Sequence, residues 1–338
     1  MMNPKQVIKA LLDGKPADRF GFWAGGPNEA EIYYEFFNVE TADELFLKFR
    51  SDFAHMGADW YAWANPDRPI FDYYGGKSHN SLNAPGVFAD CEDVKEIEDF
   101  DWPDPDDLDF SLLDKELDRQ IYSDKAIFSG CWSMFYHDMC SFFGMDNYFV
   151  KMHTDPKVVE AATSRIIDYY LAANKKCFEA VGSKIDAFFF GNDFGTQQGM
   201  MISPECFDKF IMPGFKKLID VAKSFDIKVV LHSCGAIGDV IPKLIDAGID
   251  GLHPLQAKAK GMDAETLARE YKKDLVFIGG VDTQELLPFG TTEQVKNEVR
   301  RLKKIFGERF VVSPSHEAIL PEVKPENVLA MIEAAFEC

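Results

Sequence analysis

Eight short apolar runs, separated by longer amphipathic stretches, constrain the fold of this chain more than any other feature. Parallel strands that are covered on both faces have continuous apolar runs, whereas half-exposed strands alternate. The runs are Phe20–Ala24, Ala58–Ala64, Ala126–Cys131, Ala187–Gly191, Ile227–His232, Ile249–His253, Leu275–Gly280 and Phe310–Ser313. A strand and a helix, repeated until there are eight strands, predict a (β/α)8 TIM barrel of the α/β class.

The stretches between the runs have helical spacing. In 237–246 and 293–306, apolar residues recur every three or four positions, which gives a helix one apolar face. Residue types that begin or end helices stand at the borders of these stretches. They are Ser203, Thr291, Gly248 and Gly307.

A doubly wound open sheet is the alternative arrangement. It would require a glycine-rich phosphate loop after an early strand, and Ala24–Asn28 lacks the GxGxxG spacing. Residues 65–105 are rich in proline, glycine and acidic residues, which predicts a long loop on the barrel. We therefore expect one barrel domain over residues 1–338, with a helical extension before the first strand.

Composition excludes several classes of function. The 338 residues are 46% hydrophobic, enough for a large core, and carry a formal net charge of −20. Such a surface repels nucleic acid and acidic membranes. No apolar run reaches the length of a transmembrane helix, and the first twenty residues do not resemble a signal peptide. We expect a cytoplasmic protein.

The seven cysteines are an odd number and are scattered, without a CxxC pair. This pattern fits neither the disulfide framework of a secreted domain nor a zinc ribbon. Most of these side chains are expected to be buried thiols.

Catalytic groups of barrel enzymes come from the C-terminal ends of several strands. Polar and aromatic residues follow the apolar runs here and are candidates for contacts with a small substrate. They are Trp23, Asn28, Trp63, Trp132, Tyr136, Asn192, His253, Gln256 and Asp282.

The sequence His232-Ser233-Cys234 is the sharpest of these groups. Residues two apart in an extended segment point the same way, and an imidazole beside a thiolate suits zinc. His316, after the eighth run, can supply a third ligand, and Asp193, Glu317, water or substrate a fourth. The alternative is a capped histidine beside a buried cysteine, and Asp193 alone could equally be a turn residue.

Together these segments resemble the uroporphyrinogen decarboxylase superfamily, whose fold is a (β/α)8 barrel. The resemblance covers most of the C-terminal half. It rests on the segments Asn192–Gln197, Ile202–Phe207, Leu231–Gly235, Gly279–Gln284, Ser315–His316 and Pro321–Val328.

The superfamily has two main chemistries. One branch decarboxylates porphyrinogens without a metal and holds substrate carboxylates with an Arg-Gln-Ala-Gly-Arg stretch after the first strand. The corresponding residues here, Phe22–Asn28, include no arginine. The other branch, the corrinoid-dependent methyltransferases, binds zinc through a His-x-Cys pair and a late cysteine. His232 and Cys234 match the pair, while the late position falls at or near Ser315-His316-Glu317, so His316 is the expected substitute.

The resemblance therefore implies a zinc-dependent methyltransferase that works with a separate corrinoid protein, as O-demethylase components do. Cobalt(I) would attack the methyl carbon of a small methoxylated compound, with aromatic compounds among the candidates. Zinc on His232, Cys234 and His316 would stabilise the departing oxygen, with Asp193 or Glu317 as ligand or proton carrier. A homodimer is compatible with the sequence.

Two other functions remain open at this point. One is a metal-free decarboxylase of a smaller acid, which would rely on the shared fold and on Asp193. The other is a non-catalytic carrier or sensor that binds a small aromatic ligand inside the barrel.

Overall fold

Eight parallel strands form one sheet in the computed structural model, which describes residues 1–63, 69–79 and 81–337. The strands are β1 Gly21–Phe22, β2 Phe53–Gly57, β3 Ala126–Gly130, β4 Ala187–Gly191, β5 Lys228–His232, β6 Gly251–His253, β7 Val276–Val281 and β8 Phe310–Pro314. Each of β2 to β7 pairs with the next strand in the chain, and β8 pairs with β1. The Asp52 amide donates to the Phe22 carbonyl at 2.8 Å, which joins β1 to β2. The predicted barrel is confirmed.

Helices follow the strands around the barrel. They are Pro4–Leu12, Glu31–Phe37, Ala42–Phe49, Ala58–Ala62, Val94–Glu98, Ser111–Leu117, Phe135–Phe143, Met145–Thr154, Pro156–Val181, Pro204–Cys206, Met212–Ser224, Ile241–Ala247, Ala264–Tyr271, Leu286–Phe289, Thr292–Phe306 and Pro325–Ala335, with a π-helical turn at Phe207–Ile211 and 3-10 turns at Pro105–Asp107, Gln120–Tyr122, Gly182–Lys184 and Gly238–Val240. In the described part of the chain, no helix is long and apolar enough to cross a membrane.

Seven of the eight predicted strands lie within two residues of observed ones, and the second is wrong. Residues 58–62 of the predicted run Ala58–Ala64 form a helix, in which Trp60 is 67% exposed; Ala64 lies outside the described residues. The strand is Phe53–Gly57 instead, because the Phe53 ring stacks on Phe128 of β3 at 3.9 Å inside the barrel.

The predicted helix borders are confirmed. The Ser203 side chain accepts from the Cys206 amide, and Thr291 forms a capping box with Gln294. Gly248 and Gly307 are the C-caps of their helices, and both have positive φ angles, of 110° and 69°, which glycine adopts without strain.

Aromatic rings fill the barrel interior. Trp23, Phe53, Phe128 and Phe189 belong to one buried cluster there, with the Trp23 and Phe53 centroids 4.8 Å apart. The predicted N-terminal helix, Pro4–Leu12, adds its buried apolar face to this cluster. The interior between the strands is therefore a packed core.

Three aspartates stand immediately before even-numbered strands: Asp52 before β2, Asp186 before β4 and Asp250 before β6. Each carboxylate accepts a backbone N–H of the preceding strand, from Phe22, Ile127 and Val229 respectively, at 2.7–2.8 Å. Each also binds cationic side chains. These are Arg19 for Asp52, Lys5 and Lys9 for Asp186, and Lys223 and Lys228 for Asp250. We call these three residues the aspartate brackets; they link neighbouring strands at the N-terminal end of the barrel.

Much of the predicted long loop at 65–105 is irregular, as expected, and contains the short helix Val94–Glu98. Residues 64–68 and 80 lie outside the described part. The loop is anchored to the barrel by Tyr73, whose hydroxyl donates to buried Asp138 at 2.6 Å. Burial raises the pKa of Asp138 to about 7, although the hydroxyls of Tyr73 and Tyr170 oppose the shift.

Candidate metal centre

His232 ends β5 with its imidazole directed into the top of the barrel and only 4% of the residue exposed. Its Nε2 atom faces Asp193 Oδ1 at 3.4 Å and Cys234 Sγ at 3.7 Å. Its Nδ1 atom faces His253 Nδ1 at 2.9 Å and Glu317 Oε2 at 3.5 Å. The two nitrogens of one ring therefore meet two different sets of polar atoms.

The loops after β4 and β5 are pressed together beside His232. A Cβ atom on Gly235, whose φ is +87°, would lie 2.1 Å from the Gly195 carbonyl oxygen, so only glycine fits. The Cys234 amide donates to Asp193 Oδ1 at 2.7 Å, and the Gly235 amide donates to Gln256 Oε1 at 2.6 Å. These contacts fix the Asp193 carboxylate against the Cys234 backbone.

Electrostatics favour an ion pair across the Nε2 side. Burial alone would lower the pKa of His232, but Asp193, Cys234 and Glu317 hold it well above its ordinary value. Burial would raise the pKa of Asp193, yet His232 and the Cys234 amide lower it to about 2. Burial raises the pKa of the Cys234 thiol, and His232 only partly offsets this. Asp193 and His232 therefore stabilise each other's charged forms, whereas burial disfavours the thiolate of Cys234.

Two groups of potential metal ligands share His232. Asp193, His232 and Cys234 offer ligand atoms within 4.8 Å of one another, and so do His232, His253 and Glu317. Oxygen, nitrogen and sulfur donors at this spacing are a set that zinc accepts. The first group keeps the predicted His232–Cys234 pair together and adds Asp193.

His316, the third ligand predicted from the sequence, belongs to neither group within the described residues. Its ring centroid is 6.4 Å from that of His232, and its Nδ1 atom accepts the Ala318 amide at 3.0 Å. Only Nε2 of His316 is left for a ligand, while the Asp193 carboxylate already lies beside His232.

Glu317 is positioned by a second, two-stranded parallel sheet above the barrel, formed by Gly26–Pro27 and Ala318–Ile319. The Gly26 amide donates to the Glu317 carbonyl at 2.9 Å. Gly25 has a φ of +72°, and a Cβ atom there would lie 2.4 Å from the Glu317 carbonyl oxygen. The loop after β1 thus sets the position of Glu317, whose Oε2 is buried without a hydrogen-bond partner among the described residues.

The predicted aromatic residues divide into two groups. Trp132 is half-buried at the mouth, with its ring centroid 5.6 Å from that of His232. Trp23 is 6% exposed and packs below, against Phe53 and His253. Tyr136 is 1% exposed among the outer helices and contacts Phe149 and Phe194. Of these three, the geometry brings Trp132 to the candidate centre.

Several predicted polar residues make structural hydrogen bonds. Asn192 is fully buried, accepts the Tyr136 amide and donates to the Ser133 carbonyl. The Asp282 carboxylate accepts the amides of the three residues 284–286. These two side chains hold the loops after β3 and β7 in place.

The backbones of Asn28 and Trp63 pair with other segments of the chain. Asn28 is exposed, and its amide donates to the Ile319 carbonyl beside the small upper sheet. Trp63 is half-buried and forms an antiparallel bridge with Leu108. Gln256 and His253, in contrast, are both within the centre described above.

An open cavity of about 610 Å³ lies over the centre. Four of its lining residues, Asp193, Cys234, Gln256 and His316, were predicted as site residues from the sequence. The other lining residues follow β7 and β8 and are of types ordinary for loops and helices. They are Thr283, Gln284, Pro288, Phe289, Ser315, Leu320 and Glu322.

His55 was also missed. It lies in β2, where the sequence had predicted no strand, and its ring contacts Trp132 and Phe189 inside the barrel. Burial lowers its pKa to about 3. The signal available was a histidine two residues after Phe53, the same spacing that directs both side chains to one face.

Comparison with known families gives a match to residues 93–338, most of the chain. The matching family model is described as uroporphyrinogen decarboxylase (URO-D).

Two curated relatives, both from Methanosarcina, match a part of the chain. One is a methylated-thiol–coenzyme M methyltransferase from Methanosarcina mazei, 26% identical over 162 residues, and the other a methylcobamide:CoM methyltransferase from Methanosarcina acetivorans, 25% identical over 157 residues. Each match spans 46% of this chain, and 39% and 43% of the respective relatives. The matched regions thus cover less than half the length of either relative.

Among solved structures, a methyltransferase from Methanosarcina mazei has a similar fold. It superimposes with a TM-score of 0.65 over 99% of this chain and 98% of the other, at 16% sequence identity. At this level of identity the match supports the barrel architecture alone.

Proposed function

The chain belongs to the uroporphyrinogen decarboxylase family, and from this premise we propose that it is a methyltransferase. The proposed reaction moves a methyl group between a small compound and a corrinoid that a partner protein carries. The observation that carries the proposal is the Asp193, His232 and Cys234 group beneath the open cavity. The names of the two partial relatives support the same reaction class.

The proposed metal is zinc, held by Asp193, His232 and Cys234. Their donor atoms already lie within 4.8 Å of one another, and the Cys234 amide bond to Asp193 keeps the carboxylate in place. A bound zinc ion would supply a Lewis acid for the oxygen or sulfur atom to which the methyl group is bonded. Open space above these side chains leaves room for that atom.

The protein's own residues have separate tasks in this proposal. Cys234, His232 and Asp193 would bind the metal through Sγ, Nε2 and a carboxylate oxygen, and the Cys234 amide holds the Asp193 carboxylate in position. Glu317 Oε2, 3.5 Å from His232 Nδ1, can take up or return a proton at that side of the ring. Trp132 covers one side of His232 and excludes water there.

We propose a methoxylated, compact and partly apolar compound as the methyl donor. The cavity volume of about 610 Å³ suits a small molecule, and Pro288, Phe289 and Leu320 give its wall an apolar part. Trp132 offers an aromatic face near His232. The acids Asp193, Glu317 and Glu322 at the mouth disfavour a polycarboxylate substrate by like-charge repulsion, which makes porphyrinogen decarboxylation the weaker alternative.

The first experiment measures zinc in the purified protein and in the Cys234→Ala variant. We expect about one zinc per chain in the wild type and loss of most of it in the variant. The Cys206→Ala variant is the matched control, because Cys206 Sγ lies 3.7 Å from His153 Nε2, the same distance as in the Cys234–His232 pair. It should keep its zinc.

The second experiment measures methyl transfer from a panel of methoxylated aromatic and aliphatic compounds to cob(I)alamin, followed by absorbance. We expect methylcobalamin with at least one donor for the wild type and Cys206→Ala, and none for Cys234→Ala. A folded wild-type protein that binds no zinc after incubation with the metal contradicts the metal centre. Release of CO2 from a carboxylated panel, without methyl transfer, would favour the decarboxylase.

A further inference from the structure

We infer that His253 is a positioning residue that sets which nitrogen of His232 is free to bind a metal. It does so by accepting the Nδ1–H of His232, which leaves Nε2 toward Asp193 and Cys234. The inference rests on the proposed metal centre, and it chooses between the two ligand groups that share His232.

The backbone places the two rings side by side. β5 and β6 are parallel neighbours, His232 is in register with His253, and the Ser233 amide donates to the His253 carbonyl at 2.9 Å. Both side chains point into the barrel, where their Nδ1 atoms are 2.9 Å apart. At this distance one of the two nitrogens must carry a hydrogen and the other must accept it.

The surroundings of His253 indicate which nitrogen accepts. Its Nε2 atom is buried and has no hydrogen-bond partner among the described residues. The rings of Trp23 and Phe189 contact the imidazole, with centroids 5.2 and 5.4 Å away. Aromatic faces are electron-rich, so they tolerate an N–H better than a lone pair. A neutral His253 with its hydrogen on Nε2 has a bare Nδ1, which is the acceptor.

Glu317 supports the same assignment from the other loop. Its Oε2 atom lies 3.5 Å from His232 Nδ1 and, as a carboxylate oxygen, attracts an N–H and repels a lone pair. His253 therefore accepts the N–H, and the Glu317 carboxylate stabilises it by its charge. His253 and Glu317 then become the support of His232, and Asp193, His232 and Cys234 become the ligands.

Outer partners of this kind orient metal-binding histidines and tune their affinity. His253 is 0% exposed and does not reach the cavity, so it is not a catalytic residue. Its effect is expected on metal affinity and on the hydrogen positions of the two rings.

The first test is ¹⁵N NMR of the metal-free protein labelled at histidine. We expect the His253 ring to carry its hydrogen on Nε2 and the His232 ring to carry one on Nδ1, assigned with the His253→Asn and His55→Leu variants. A His253 ring with its hydrogen on Nδ1 overturns the inference, whatever the zinc content of the protein.

The second test is zinc affinity, measured by competition with a chromophoric chelator. We expect His253→Leu to bind zinc about 10–100-fold more weakly. His253→Asn should recover most of the affinity, because its amide oxygen can accept in the place of Nδ1. His55→Leu is the control, since His55 also contacts Phe189, at 4.8 Å, without a hydrogen bond to His232; its affinity should stay within about threefold.

The outcomes separate this inference from the proposed function. A wild-type protein without zinc affinity contradicts the metal centre but leaves the NMR result decisive for His253. A wild-type protein that binds zinc, with a folded His253→Leu variant of equal affinity, overturns the positioning role alone.

Discussion

The two ends of the barrel use the same residue type for different purposes. At the N-terminal end, Asp52 accepts a strand amide and pairs with the Arg19 guanidinium at 2.6 Å. At the C-terminal end, Asp193 also accepts an amide, from Cys234, but its ionic partner is His232. Both carboxylates, of Asp52 and Asp193, are held by a backbone amide. The two sites therefore differ in the cationic side chain that each carboxylate binds.

That difference has a chemical reason. Arginine and protonated lysine offer no lone pair, so they cannot share a metal ion with the aspartate that binds them. A histidine can exchange its hydrogen for a metal ion. The aspartate brackets therefore hold the strands together, while the same side chain at the other end completes a ligand set. Substitutions at the two ends should separate stability from metal binding.

The largest effect is expected for Asp52→Ala. The side chain of Asp52 is 1% exposed, and its loss leaves the buried Phe22 amide without its acceptor and Arg19 without its carboxylate partner. Breaking a buried pair in this way costs about 3–5 kcal/mol of unfolding free energy, measurable by urea denaturation. Asp220→Ala, which removes a surface ion pair to Lys216, should cost less than about 1 kcal/mol. An Asp52→Ala protein as stable as this control contradicts the bracket role.

Asp193→Asn should weaken zinc binding and leave stability nearly unchanged, the reverse of the effect expected for Asp52→Ala. The amide oxygen can still accept the Cys234 N–H, so the unfolding free energy should change by less than about 1.5 kcal/mol. Zinc affinity should fall by at least about 10–100-fold, the range for loss of a supporting partner alone. Chelator competition measures the fall. Unchanged affinity would remove Asp193 from the ligand set and weaken the contrast between the two ends.

Asp250→Ala tests whether the stabilising effect of an aspartate bracket depends on its burial. Its side chain is 17% exposed, against 1% for Asp52, so water can replace part of what is lost. We expect a decrease of about 1–2 kcal/mol in unfolding free energy and unchanged zinc affinity. An equal loss of unfolding free energy in Asp250→Ala and Asp52→Ala would mean that burial does not determine how strongly each aspartate bracket stabilises the protein.

The smallest effect is expected for His316→Ala. Its Nδ1 accepts the Ala318 amide, and His316 is outside both ligand groups of the described residues. Zinc affinity should therefore fall less than about threefold, far below the change for Asp193→Asn. A fall as large as that of Asp193→Asn would instead place His316 among the ligands, as the sequence had suggested.

The barrel could be predicted from sequence because most of its strands are buried on both faces and read as plain apolar runs. β2 could not, because His55 interrupts its run, while the aromatic residues of the segment at 58–62, which forms a helix, suggested a strand there. The Asp59 side chain in that helix accepts the Trp132 amide, a contact between distant segments that no local pattern reveals. Because the second strand was predicted at the wrong position, His55 was not recognised as a residue of the barrel interior.

The candidate centre was predictable in its local part only. His232 and Cys234 are two residues apart, so their proximity follows from strand geometry. Asp193 is brought to them by the close approach of Gly195 and Gly235, and His253 by the register of β5 and β6. Both depend on how separate strands pack. His316 was preferred from sequence because a family position suggested it, while its hydrogen bond to Ala318 depends on the fold of its own loop.

The small sheet above the barrel joins Gly26–Pro27 to Ala318–Ile319 and so links almost the two extremes of the chain. Residues 26–27 are synthesised before the four residues Asp193, His232, Cys234 and His253. Glu317, which residues 26–27 help to position, is synthesised after all of them. Loss of the pairing between Gly26–Pro27 and Ala318–Ile319 would release the acid beside His232 Nδ1. Formation of the small upper sheet is therefore the step that places Glu317 beside His232.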